Sequence, residues 1–422
     1  MAAEPLMLQE HRRLSRRFFG QLAAGGALGM LLPWQARAAE LPPECAAACE
    51  SFLKQLEYLT PQEEFGNVSR GTPRPYDLPE EKKQEVGLTP ESWRLEVVSD
   101  PDDPADIEQP LTVEAGTAID WDELMKMAKQ HAVSFPKIMT CNNGGRPLGM
   151  GIWEGVPLRE IVWRTRPQQN LRRVFYNGFH NDDPKQLFRS SLPIGRVLED
   201  PFDLPPVILC YKLNGQLLNG ERGGPVRMVV PEAYGFKSVK WLQRIVLSNL
   251  FHANDTYASG NNDVDSGMKT FAHSLLKPEK IKAGQPIPIT GYAQVGISGL
   301  KKVQTLLLPK STEWPQDDPY YTQADWTDAH LLDPPKTWGG GLPDDRLPDK
   351  VHGFDPATGR PQNWPMRMTM AHWATVLPGL PAGEYTLHSR SIDANGYAQP
   401  MPRPFRKSGR NVIEETPVQI VE

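Results

Sequence analysis

The sequence predicts an α+β protein, a mixed catalytic unit followed by a β-sandwich. Proline (42 residues) and glycine (35 residues) are too frequent for a helical fold, since both break helix interiors and mark turns. From residue 92 to residue 250, helical and strand-like patterns are mixed. Beyond about residue 278, short apolar runs recur between turn residues, which is the spacing of a sandwich. With 422 residues, the chain has room for two domains, each with its own core.

The first 38 residues read as an export signal. "HRRLSRRFFGQLAAGGALGMLLPWQARAAE" has a basic region, a short apolar stretch and a small-residue cleavage site at Ala36-Arg37-Ala38. Within it, "SRRFFG" matches the twin-arginine pattern, so the expected location is the periplasm. That route carries proteins already folded, as a protein loaded with cofactor in the cytoplasm must be. The signal holds five arginines and two glutamates, which leaves the rest of the chain at a net charge of −8. A nucleic-acid binder needs a basic surface, so that class of partner is excluded.

Residues 39–85 read as a leader with one helix, "ECAAACESFLKQ". Its Cys45 and Cys49 share a helix face, and either pair after local distortion or act as small apolar residues. "SWRLEVVS" (92–99) and "PLTVEAG" (110–116) read as strands. "DWDELMKMAKQHAV" (120–133) reads as a helix capped by Asp120. The strand "PKIMTC" then ends at Cys141, and "GVPLREIVWR" opens a helix with Pro157 near its first turn. Strands follow in "RRVFYNG", "PPVILCYKLNGQLL" (with a hairpin turn at Asn214-Gly215), "PVRMVVP" and "VKWLQRIVLSN". Residues 252–275 read as a long surface loop. The sandwich is expected over 276–422, interrupted by a tryptophan- and proline-rich insertion at 314–365.

Common catalytic signatures are missing: no GxxxxGK[ST], no HExxH, no GxSxG and no CxxCH for haem. Cys210 lies in an apolar run and reads as buried and inert. Cys141 differs, because it opens the glycine-rich turn "TCNNGGR". One reading pairs it as a nucleophile with one of nine histidines. The other makes it a metal ligand, since an unpaired thiol in an oxidising compartment is protected by permanent coordination.

Several segments, in order over residues 65–420, resemble the sulfite oxidase family of molybdenum enzymes. They are "FGNVSRGTP" (65–73), "TCNNGGR", "WEGVPLREIV", "KLNGQLLNGERGGPVRMVVPEAYGFKSVKWLQRI" (212–245) and "SRSIDANGYAQP" (389–400). The resemblance implies a molybdopterin-binding domain at 86–275, with an entry segment at 65–75, and an immunoglobulin-like dimerisation domain at 276–422. It implies Cys141 as the molybdenum ligand, with Arg70, Arg146 and Tyr257 as the other catalytic candidates. Arg222, Arg227, Lys237, Ser238 and Lys240 become the candidates for holding the molybdopterin. The implied reaction is oxygen-atom transfer to sulfite or a related small sulfur anion, with electrons leaving to a c-type cytochrome because this chain has no haem motif. A homodimer is also implied. A reductase of the same family and a non-catalytic periplasmic docking subunit are the alternatives.

The chain departs from the family pattern near the substrate. Relatives have Cys-Ala-Gly-Asn-Arg-Arg where this chain has Cys-Asn-Asn-Gly-Gly-Arg, so one arginine is absent. Arg222 replaces a family histidine, and Tyr257 is the best match to a tyrosine near the metal. These departures leave the cofactor reading intact and open the question of which substrate is used.

Overall fold

The structure, a computed structural model, describes residues 41–144, 146–265, 267–409 and 411–422. The expected export signal lies outside the described residues.

Ten strands span residues 94–248. They are β1 (Arg94–Ser99), β2 (Ile119–Asp120), β3 (Val133–Thr140), β4 (Pro147–Pro157) and β5 (Arg173–Gly178). After them come β6 (Arg189–Pro193), β7 (Ile208–Leu213), β8 (Gln216–Leu217), β9 (Arg227–Val229) and β10 (Leu242–Ser248). One sheet has the order β2-β1-β10-β5-β6, with β1 and β10 parallel and the other pairs antiparallel. Its inward residues, among them Leu95, Val97, Val174, Tyr176 and Ile245, form one core with Trp93. The second sheet has the order β3-β4-β7-β8, with β9 paired to β7, and packs Phe135, Trp153 and Leu213 against Phe65.

Local chemistry accounts for the predicted elements. Asp120 accepts the Glu123 amide at 2.9 Å and so caps the helix Trp121–His131, which buries Leu124 and Met127. Pro157 precedes the helix Leu158–Arg164, where its missing N–H costs nothing. Asn214 and Gly215 both have positive φ, 52° and 78°, as the tight turn between β7 and β8 requires.

The last unit is an eight-stranded sheet. Its strands are β11 (Phe271–Leu276), β12 (Ile281–Lys282), β13 (Ile287–Gln294) and β14 (Lys302–Pro309), then β15 (Thr327–Leu331), β16 (Met370–Leu377), β17 (Gly383–Ile392) and β18 (Glu414–Val421). Their order is β11-β13-β16-β15-β14-β17-β18-β12. The sheet folds over, so that β11 meets β17 and β18. Ile289 and Trp373 from one half and Val303, Leu387 and Val418 from the other fill the space between.

Four expectations are corrected. Residues 110–116 form turns with one bridge, Leu111 to Val97, because Thr112 and Thr117 hydroxyls bond to nearby backbone groups that a strand would need. The stretch 252–275 is no surface loop. Tyr257, Met268 and Thr270 are buried and β11 begins within it, while the Asp255 carboxylate satisfies the backbone there. The expected insertion supplies β15, which joins the two halves of the last sheet by pairing Thr327–Ala329 with β14 and His330–Leu331 with β16. The expected leader is built into the fold, because the helix Pro43–Leu53 buries Cys45 and Cys49 against Ala374. Both cysteines are free thiols, and burial pushes the Cys49 thiol up to about 12.

Close backbone approach also positions the site. An added Cβ on Gly178 would sit 1.9 Å from the Lys240 carbonyl oxygen. Gly178→Ala should therefore destabilise the fold by on the order of 3 kcal/mol. Urea unfolding measures this, and an unchanged midpoint would refute the close packing.

Candidate active site

The thiol stands at the end of β3, where the strand enters the β3–β4 turn and the burial of the strand gives way to partial exposure. Beside it opens a cavity of about 480 Å³. Cys141, Arg70, Tyr257, Arg222, Arg227, Ser238 and Lys240 all line it. Seven of the nine residues singled out from the sequence therefore converge, though they come from segments as far apart as residues 70 and 257.

The Tyr257 ring is held on two sides. The Asp255 carboxylate accepts the backbone N–H groups of Tyr257 and Ala258 at 3.0 and 3.1 Å, which fixes the turn. The ring stacks on Phe236, with centroids 3.9 Å apart and planes within 3°. Burial, and next the negative form of Cys141, push the phenol up to about 12, against smaller opposing effects of Asn142 and Arg70. It is therefore a proton donor at neutral pH. Arg70 is exposed at the mouth, its guanidinium 5.1 Å from the centre of the Phe188 ring.

The deeper wall is cationic. Arg222 is 2% exposed, donates to the Phe65 carbonyl at 2.9 Å and pairs with Glu221 at 3.0 Å. Arg227 donates to the carbonyls of Arg222 and Ser238 at 2.8 and 2.7 Å and lies 5.1 Å from the Trp153 ring centre. The Nε of each arginine has no hydrogen-bond partner. Lys240 donates to Asn67 and Ser69 at 3.0 and 2.9 Å. Burial, with Arg227 and Arg222 adding to it, pushes its ammonium down to about 6. Burial likewise brings Arg227 down to about 10.

Crowded, half-satisfied cations in an acidic protein fit a phosphate-bearing organic cofactor, which would neutralise them and accept their spare N–H groups. Cys141 adds one soft donor at the other end of the cavity. Among the described residues, no group of three or more histidine, cysteine or acidic side chains is placed to hold a metal. A metal here would take its other ligands from the cofactor.

Two expected residues are elsewhere. The Lys237 ammonium is buried and donates to the Ser191 carbonyl at 2.6 Å, so it braces strand β6 instead of lining the cavity. Arg146 is exposed in the β3–β4 turn and does not line the cavity; its charge acts on Tyr292. The sequence reading missed His180, Gln186, Arg406 and Lys407, which also line the cavity. The run "FRKSGR" (405–410) carried the only hint, a local concentration of positive charge.

Lys240 gives a pH dependence. Its folded-state pKa lies below the unfolded lysine value of about 10.4, so between about pH 6 and 10 the unfolded chain binds the extra proton. Cofactor-free protein should gain stability as pH rises through that window, by at most about 1.4 kcal/mol per unit from this group. Urea unfolding at several pH values, compared with Lys240→Met, measures it. An identical slope in the variant would refute the assignment.

Comparison with known proteins agrees with this geometry. Residues 83–255 match the family described as oxidoreductase molybdopterin binding domain. The catalytic subunit of the protein-methionine-sulfoxide reductase MsrP of Ralstonia nicotianae is 30% identical over 244 residues, 54% of this chain and 67% of that protein. Mitochondrial sulfite oxidase of Drosophila melanogaster is 31% identical over 107 residues, a quarter of this chain and 18% of that longer protein. The fold is like that of the sulfane dehydrogenase SoxCD of Paracoccus pantotrophus, with a TM-score of 0.55 at 18% identity over 79% of this chain and 77% of that one. The chain thus belongs to the sulfite oxidase family of molybdopterin-dependent oxidoreductases, and is an enzyme that takes a molybdopterin cofactor.

Proposed function

We propose that this enzyme is exported to the periplasm by the twin-arginine route, oxidises sulfite or a related small sulfur anion, and passes the electrons to a separate c-type cytochrome. The observation that carries the reading is the set of exposed or half-exposed cations Arg70, Arg406 and Lys407 around a cavity that also holds Cys141. When bound, the molybdenum cofactor supplies two-electron oxygen-atom exchange. Arg222, Arg227, Ser238 and Lys240 hold it, and Cys141 is its protein ligand. Arg70 draws the anion in and orients it, while the Phe188 ring shields one face of that guanidinium from water. Tyr257 keeps its proton and donates a hydrogen bond to the reacting oxygen. In this reading residues 86–275, with 65–75, form the cofactor domain. The folded sheet, which begins with β11 at Phe271, five residues before the expected boundary at 276, acts as an immunoglobulin-like dimerisation domain that makes a homodimer.

A second reading runs the chemistry the other way, as a sulfoxide reductase. The similarity to a methionine-sulfoxide reductase over two thirds of its length favours it. A sulfoxide group carries no net charge and depends less on cations at the mouth than an anion does, so the two readings separate by substrate charge.

Purified enzyme should reduce ferricyanide with sulfite or thiosulfate as donor. Arg70→Gln should raise KM about 10- to 100-fold with a smaller effect on kcat, as expected for loss of one charge-assisted contact. Cys141→Ser should lower kcat at least about 100-fold. Turnover only with methionine sulfoxide and reduced viologen, and insensitive to Arg70→Gln, would replace the first reading by the second.

A further inference from the structure

We infer that Gln294, on strand β13 of the carboxy-terminal sheet, is a positioning residue that fixes the Cys141 thiol, an inference that rests on the reading of Cys141 as the metal's protein ligand.

Strand β3 leads to the thiol and lies at the edge of its own sheet, with a continuous ladder only to β4 and a single bridge, Ser134 to Val351, on the other side. That side is covered by segments adjoining the carboxy-terminal sheet. The Ile138 amide donates to the Met368 carbonyl at 2.8 Å, and the His352 amide donates to the Ser134 carbonyl at 2.7 Å. These bonds hold the start and middle of the strand. At its end the β3–β4 register shifts between Met139 and Thr140, and Thr140 faces Pro147, which has no N–H to offer. The regular ladder is lost just before Cys141.

A side-chain bond replaces it. The Thr140 hydroxyl donates to Gln294 Oε1 at 2.5 Å. Gln294 Nε2 donates in turn to the Lys269 carbonyl at 2.7 Å, and the Lys269 amide donates to the Tyr234 hydroxyl at 3.2 Å. Thr140 and Gln294 are 1% and 0% exposed, so water cannot take over either bond. On the remaining side Gly235 lies close by: a Cβ added to it would sit 3.4 Å from the Thr140 carbonyl oxygen. The amide is thus clamped at both ends, and the residue it holds is the immediate neighbour of the thiol. Any relaxation at Thr140 passes directly to Cys141.

The test uses the full chain, with Thr140→Val and Gln294→Leu removing the bond and Thr140→Ser keeping it. In cofactor-free protein, alkylation of Cys141 by iodoacetamide, followed by peptide mass spectrometry, should be roughly fivefold faster in the first two and unchanged in Thr140→Ser, because local opening at the strand end becomes cheaper. In molybdenum-loaded protein, the paramagnetic resonance spectrum of the partly reduced metal should shift in Thr140→Val and not in Thr140→Ser. Wild-type alkylation rates and spectra in Thr140→Val would overturn the proposal, and this variant decides alone if Gln294→Leu does not fold. The metal-ligand reading fails separately, if wild-type Cys141 is alkylated as fast in loaded protein as in cofactor-free protein. The comparison among cofactor-free variants then still decides the role of Gln294.

Discussion

The burial of two guanidiniums, Arg222 and Arg227, beside Lys240 is the constraint on which the rest of the site depends. Burial works against the charge on Arg227 and on Lys240; the Arg222 charge adds to this at Arg227, and both arginine charges add to it at Lys240. One acid, Glu221, pairs with Arg222, while Arg227 rests on backbone carbonyls and an indole face. Carbonyl dipoles and π faces offset part of the cost of a buried guanidinium without neutralising it. The net positive potential that remains is what an anionic cofactor meets. A wall fully paired with carboxylates would add stability to the empty fold and lose the attraction.

Such a wall needs a rigid support, and close backbone packing provides it. Gly223, at φ 98°, lets the chain turn directly beneath Lys240, and Gly178 brings β5 against the Lys240 carbonyl. The Lys237 ammonium, braced on Ser191, ties the turn before Ser238 to strand β6, which also holds the Asp255 turn through the Ser191 hydroxyl. The cationic wall and the Tyr257 turn are therefore joined through one strand. A charge that reads in the sequence as a ligand contact is in fact part of the frame.

Much of this was legible in the sequence, and the exceptions have physical causes. Cys141 stood out because a thiol in a polar, glycine-rich turn has no packing role there. Helix Trp121–His131 was legible from its cap and its apolar spacing, both local properties. Lys237 and Lys240 were not separable, because a 3₁₀ turn and the irregular backbone after it lie between strands, and neither period of two nor of 3.6 assigns side-chain direction there. Strand β15 was hidden because it is five residues long and has two apolar residues, Ala329 and Leu331, of which only the alanine is buried. Arg406 and Lys407 were missed because they reach the cavity through tertiary contacts alone, which leave no periodic trace.

Those tertiary contacts divide the cavity into two parts with different freedoms. The cationic wall comes from one continuous stretch, 222–241, in which Arg227 is held by carbonyls of the same stretch while Arg222 and Lys240 reach back to Phe65, Asn67 and Ser69. A substitution there disturbs several neighbours together, so the wall resists change. The mouth is assembled from separate segments at 65–71, 256–262 and 406–407. The last of these is pinned by the Arg403–Asp263 ion pair at 2.7 Å and by the Lys269 ammonium on the Gly409 carbonyl at 3.0 Å, neither of which involves Arg406 or Lys407. The charge at the mouth is thus free to vary without loosening the loop that presents it or the wall behind it. Charge at the mouth and support of the wall are in this way separate properties of the fold.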